Sequence, residues 1–162
     1  MRDIVRAAIG IIIAFVVHSL LGQISHVLPI FFNLFSLAVI YFAMEKGEVF
    51  GAVMGMCCGF IQDSFSLGVF GIAGISKTIM GFAAGYFSSR MDVNPFRRSL
   101  VFIFSLVGGE LIIWSLIYIF VYSEAVYTAR GAIVFQPLLT ALTGSLLFYA
   151  LRKLRESRRR MG

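Results

Sequence analysis

Between Ser99 and Tyr122 the chain reads SLVFIFSLVGGELIIWSLIYIFVY, and Glu110 is the one charged side chain in that run. A helix needs about 20 mostly apolar residues to cross a membrane, because the hydrocarbon layer is about 30 Å thick and each residue rises about 1.5 Å. This run meets that length, and its neighbours follow the same plan. Further apolar spans are read at residues 4–21, 28–44, 49–64, 68–87 and 132–150, joined by short connections. The third is short and glycine-rich, so it is expected to be tilted or partly re-entrant. The sequence therefore predicts one all-α unit of about six transmembrane helices (residues 1–151), followed by a basic tail at 152–162. The apolar stretch after Arg2 and Arg6 is followed by no small-x-small cleavage site and reads as a first membrane helix rather than a removed signal.

Composition supports lipid as the solvent. Of 162 residues, 59% are hydrophobic and only 14% charged, whereas soluble domains carry about 25% charged residues. The net charge of +6 is distributed unevenly. Counting alternate connections, one side collects Arg2, Arg6, Lys46, Arg90, Arg97, Arg98, Arg152, Lys153, Arg155, Arg158, Arg159 and Arg160. The other side has only Arg130, opposed by Glu124. The positive-inside rule then places both ends of the unit in the cytoplasm, with the basic tail near anionic lipid. A basic stripe on a soluble surface, as nucleic-acid binding requires, is missing from this pattern.

Two rows of small residues dominate the middle of the chain. Gly51, Gly55, Gly59 and Asp63 recur every fourth residue, and Gly71, Gly74, Thr78, Gly81 and Gly85 recur at three- and four-residue steps. Such rows let a second helix backbone come close, which drives association where lipid removes the hydrophobic force between helices. They read as a packing seam, either within the chain or for a partner's helix. Lys77 and Glu110 lie near the middles of adjacent antiparallel spans, so they are expected to meet, because a charge inside a membrane needs a partner. Asp63, nearer the outer end of its span, is the weaker partner for Lys77.

The remaining polar groups suggest no chemistry. Cys57 and Cys58 are adjacent and lack metal-ligand spacing. His18 and His26 are read as packed or interfacial, Asn33 and Gln62 as interhelical hydrogen-bonders, and Gln136-Pro137 as a kink. Gly74-Ile-Ser-Lys77-Thr78 departs from a phosphate loop, since Ser76 stands where glycine should precede the lysine. Neither G-x-S-x-G nor H-E-x-x-H occurs. No enzyme activity and no cofactor or metal is expected.

The run Gly51-x3-Gly55-x3-Gly59-Phe60-Ile61-Gln62-Asp63, then Leu67-Gly68 and Gly71-x2-Gly74-Ile75-Ser76-Lys77-Thr78-x2-Gly81-x3-Gly85, resembles the bacterial rod shape-determining family MreD. The resemblance covers residues 41–90, about a third of the chain; outside it only size, hydropathy and the basic tail agree. It implies a non-enzymatic scaffold of the cell-elongation machinery. Its partners would be MreC, the glycosyltransferase RodA, a class B penicillin-binding protein and the MreB system. It also implies a fold similar to the substrate-binding membrane subunits of energy-coupling factor vitamin transporters, and such a transporter subunit is the alternative reading. Against it, Ala7, Ala8 and Ala14 do not give that family's A-x3-A spacing. The connections are also poor in the polar groups a ligand pocket needs.

Overall fold

The computed structural model describes residues 2–24, 32–65, 70–91, 96–122 and 130–160. It contains six helices and, among the described residues, no strand: α1 (Arg2–Ile24), α2 (Leu34–Lys46), α3 (Glu48–Phe65), α4 (Ile72–Ser88), α5 (Phe96–Tyr122) and α6 (Arg130–Arg160). Among the described residues, two stretches are long and apolar enough to cross a membrane, Val5–Ile24 of α1 and Arg98–Phe120 of α5; Phe135–Leu151 of α6 is apolar but shorter.

Several boundaries differ from the sequence reading, each for a local reason. The second helix starts at Leu34, not at 28, because Asn33 caps it: the Asn33 side chain accepts a hydrogen bond from the Ser36 N–H. Leu28 to Phe31 fall outside the described residues. The third span is one continuous helix of 18 residues. It is separated from α2 by Gly47 alone, whose φ of 92° lies in the left-handed region that favours glycine. The first helix runs on through Gly22 to Ile24, and the last continues without a break to Arg160. The expected tail is therefore, as far as Arg160, the end of α6. Pro137 sits inside that helix.

The helix α2 forms the axis of the bundle. It packs against all five others, and its buried side chains point in every direction around it: Phe35, Ser36, Leu37, Val39, Ile40, Phe42 and Ala43. A helix enclosed on all sides has no need of amphipathicity. The closest packing lies between α3 and α4, which run antiparallel in a fixed register. Gly51 lies against Gly81, Gly55 against the backbone of Lys77, Gly59 against Ala73 and Gly74, and Gly85 against Glu48. A β-carbon built on Gly51, Gly55, Gly59, Gly81 or Gly85 would fall less than 3 Å from atoms of the facing helix, backbone among them. The two small-residue rows are thus each other's partners. Gly71 is the exception: no described residue lies within 4 Å of a β-carbon built on it, and its φ of 105° makes it the turn before α4.

Outside this packed interior the surface is apolar. Val5, Ile9, Ile12 and Leu20 on α1, Val49 and Val53 on α3, Ile75 and Phe82 on α4, Val101, Ile112 and Leu116 on α5, and Leu146 on α6 are all exposed. Charge, by contrast, gathers at one end. Lys46 Nζ, at the end of α2, donates to Asp3 at the start of α1 over 2.7 Å, and Arg6 stands 3.9 Å from the same carboxylate. That hydrogen bond from Lys46, the larger effect, and the nearby positive charges hold the Asp3 carboxyl below its ordinary range. The α4 terminus reaches this end through Gly85 against Glu48, and α6 reaches it through Phe148, whose ring lies 5.7 Å from that of Tyr41.

Candidate functional site: a buried polar cluster

Helical continuity places Ser36 one turn into α2, Lys77 in the first half of α4 and Glu110 in the middle of α5. Because α2 touches both α4 and α5, the three positions converge. Lys77 is fully buried and Glu110 nearly so. The Lys77 ammonium pairs directly with the Glu110 carboxylate, so the two charges expected from their depth to meet do meet, with no intervening group.

The pair is enclosed by hydrogen bonds. Lys77 Nζ donates also to Ser36 Oγ at 2.8 Å and to Asn33 Oδ1 at 3.4 Å, which uses all three ammonium protons. The Ser36 hydroxyl donates in turn to the second carboxylate oxygen of Glu110. Asn33 Nδ2 donates to Glu110 Oε1 at 3.4 Å, and the Asn33 N–H donates to Thr140 Oγ1 on α6 at 3.2 Å. Four helices meet here: α2 with its cap, α4, α5 and α6. Glu110 also lies beside the start of α2, where the helix dipole favours a negative charge.

An ion pair withdrawn from water is tolerable only when its remaining donors and acceptors are met as well. This one satisfies that condition with neutral polar groups of the same chain. Chemically, the cluster is a clamp. Its polar atoms are directed at each other, so it fixes the depth at which four helices cross.

A second buried carboxylate has a different task. Asp63, at the end of α3, accepts hydrogen bonds from the N–H groups of Gly71 (2.9 Å), Ala73 (3.2 Å) and Gly74 (3.1 Å). The first N–H groups of a helix lack intrahelical partners, and Asp63 supplies one for the start of α4 from a neighbouring helix. It lies one four-residue step beyond Gly59, so the α3 stripe ends on the group that meets the end of α4. It makes no contact with Lys77, and the depth argument that ranked it below Glu110 agrees with this placement.

Other sequence candidates occupy quieter positions. The His18 ring packs 5.3 Å from that of Phe35, and His26 lies outside the described residues. Cys58 is buried and Cys57 exposed, both unbridged. Among the described residues no group of three or more His, Cys, Asp or Glu is arranged to hold a metal. Sequence reasoning did not find Ser36 or Thr140. The spacing of Asn33 and Ser36, a cap residue followed three positions later by a hydroxyl, was the available signal for the first; Thr140 gave none.

In comparisons with protein-family models, with curated proteins and with solved structures, the chain matches none.

Proposed function

We propose that this chain is a multi-pass protein of the bacterial inner membrane and a non-enzymatic scaffold of the cell-elongation machinery. In this reading the six-helix bundle spans the bilayer with the basic end in the cytoplasm. It binds MreC and links it to peptidoglycan synthesis by RodA and a class B penicillin-binding protein, alongside the MreB system. The observation that carries the membrane part is the inverted distribution of polarity. An ion pair, an asparagine and two hydroxyls lie at the centre, while isoleucine, valine, leucine and phenylalanine side chains face outward on five of the six helices. In water that surface would drive aggregation; in lipid it is the stable arrangement.

The scale of the molecule fits. Twelve residues of helix separate Glu110 from Arg98 on α5 and Thr140 from Arg152 on α6, about 18 Å in each case. Half a hydrocarbon layer is about 15 Å, a length that supports an ion pair at the bilayer midplane with the basic ends of α5 and α6 toward the headgroups. The elongation role rests on the resemblance over residues 41–90. Within that stretch Gly51, Gly55, Gly59, Gly74, Gly81 and Gly85 meet this chain's own helices, so they hold the scaffold together and the partner engages other surfaces. The scaffold reading is favoured over a vitamin-type transporter subunit because the converging polar groups are hydrogen-bonded to one another, whereas a ligand site needs polar groups aimed at the ligand.

The test is co-expression with tagged MreC, extraction in mild detergent, and capture through the tag, together with depletion of the chain from rod-shaped cells. Stoichiometric recovery with MreC and rounding of depleted cells are expected. A chain that leaves MreC behind, and whose loss leaves cells rod-shaped, overturns the proposal.

A further inference from the structure

The basic end of the bundle carries a feature that orientation alone does not require. Arg98 at the start of α5 and Lys153 near the end of α6 are both exposed, and α5 and α6 are packed neighbours. Glu110 and Thr140 both bond to Asn33 and so mark one level of the bundle. From that level Arg98 lies about 18 Å away along α5 and Lys153 about 20 Å along α6. The two cations therefore stand at nearly equal depth, at the lower edge of one helix pair. Arg97 and Arg152 adjoin them in sequence.

Each cation has an apolar neighbour on its own helix face, on the side toward the bundle centre. Val101 follows Arg98 by three residues and is 62% exposed; Tyr149 precedes Lys153 by four and is 58% exposed. Residues three or four apart share a helix face. Both helices thus present the same vertical order, a cation at the headgroup level and apolar surface above it. That order matches one class of molecule, a lipid with an anionic head and hydrocarbon chains. A soluble anion would use the cations and ignore Val101 and Tyr149. An acidic protein would favour the arginines farther out, Arg158 to Arg160, about 27–30 Å from the cluster along α6 and beyond the headgroups.

We propose that the cytoplasmic mouth of the α5–α6 pair binds an anionic phospholipid, with Arg98 and Lys153 at its phosphate and Val101 and Tyr149 along its acyl chains. The inference rests on the membrane reading above. Its test is native mass spectrometry and thermal unfolding of the full chain in neutral detergent, doped with dioleoylphosphatidylglycerol or dioleoylphosphatidylcholine. The wild type is expected to retain and be stabilised by the anionic dioleoylphosphatidylglycerol alone. R98Q/K153Q is expected to weaken that retention roughly tenfold or more, at about 1 kcal/mol per basic residue. R98K/K153R keeps it, and so does R158Q/R159Q/R160Q. Far-UV circular dichroism confirms that each variant is folded. Equal retention of the two lipids by the wild type, or unchanged binding by R98Q/K153Q, overturns the proposal. So does loss confined to R158Q/R159Q/R160Q, which would move the lipid from the α5–α6 mouth to the end of α6. Failure of the membrane reading is distinguishable, since alkaline carbonate would then release the chain from membranes.

Discussion

The helix α4 is held from two sides by different physics. Toward α3 it presents glycines, and the contact is backbone on backbone, with dispersion acting at the shortest range two helices allow. Toward α2 and α5 it presents Lys77, and the contact is an ion pair with its surrounding hydrogen bonds. Lys77 joins the two, because its carbonyl lies against Gly55 while its side chain reaches Glu110. The contrast teaches that proximity and polarity are separate sources of specificity. Glycine contact sets how close two helices come, and the ion pair sets the depth at which they stop. A third region sharpens the point: Gly108 and Gly109 on α5 are small residues too, yet none of the described residues lies within 4 Å of a β-carbon built on either.

Breaking the polar side has the largest expected effect. Glu110→Leu leaves Lys77 as an unpaired buried cation, a change that destabilises by about 3–5 kcal/mol. The double variant K77M/E110L removes both charges and is expected to recover most of that loss. Denaturant titration in micelles reads both, and equal loss in the single and double variants would show that the pair has no coupling.

The glycine side comes next. Gly55→Ala puts a methyl group onto the Lys77 carbonyl and carbonyl carbon, backbone atoms that yield only by parting the helices. Overpacking of this kind is expected to cost about 1–3 kcal/mol, and because Lys77 links the two sides, its loss should not add simply to that of Glu110→Leu. A thermal midpoint equal to the wild type would refute the packed seam.

Removing the cap affects one end of that seam only. Asp63→Ala leaves the N–H groups of Gly71, Ala73 and Gly74 without their acceptor, for an expected loss of about 0.5–2 kcal/mol. Hydrogen exchange should rise at residues 71–74 and remain unchanged at 81–85. Exchange that rises equally along α4 would contradict a local role.

The smallest effect has the opposite sign. Gly108→Ala and Gly109→Ala meet no obstacle and exchange a poor helix former for a good one, so each is expected to leave stability unchanged or raise it by up to about 1 kcal/mol. Destabilisation matching that of Gly55→Ala would erase the distinction between the two kinds of glycine.

Much of this was written in the order of residues, and the parts that were not share one reason. The run from Ser99 to Tyr122 announces a helix for an apolar environment by length and composition alone, and α5 covers it. The rows Gly51-Gly55-Gly59 and Gly74-Gly81-Gly85 announce close packing by their period. The lone charges Lys77 and Glu110 announce a pairing by the cost of leaving either alone. These are local or one-body properties, readable without a partner. Which row meets which, that Asp63 serves another helix's amides, and that Asn33, Ser36 and Thr140 close the polar cluster are properties of pairs far apart in sequence. A hydroxyl or a glycine looks the same whether its neighbour is lipid, solvent or a helix, so only the folded arrangement separates Gly55, against a backbone, from Gly108, which no other described residue approaches.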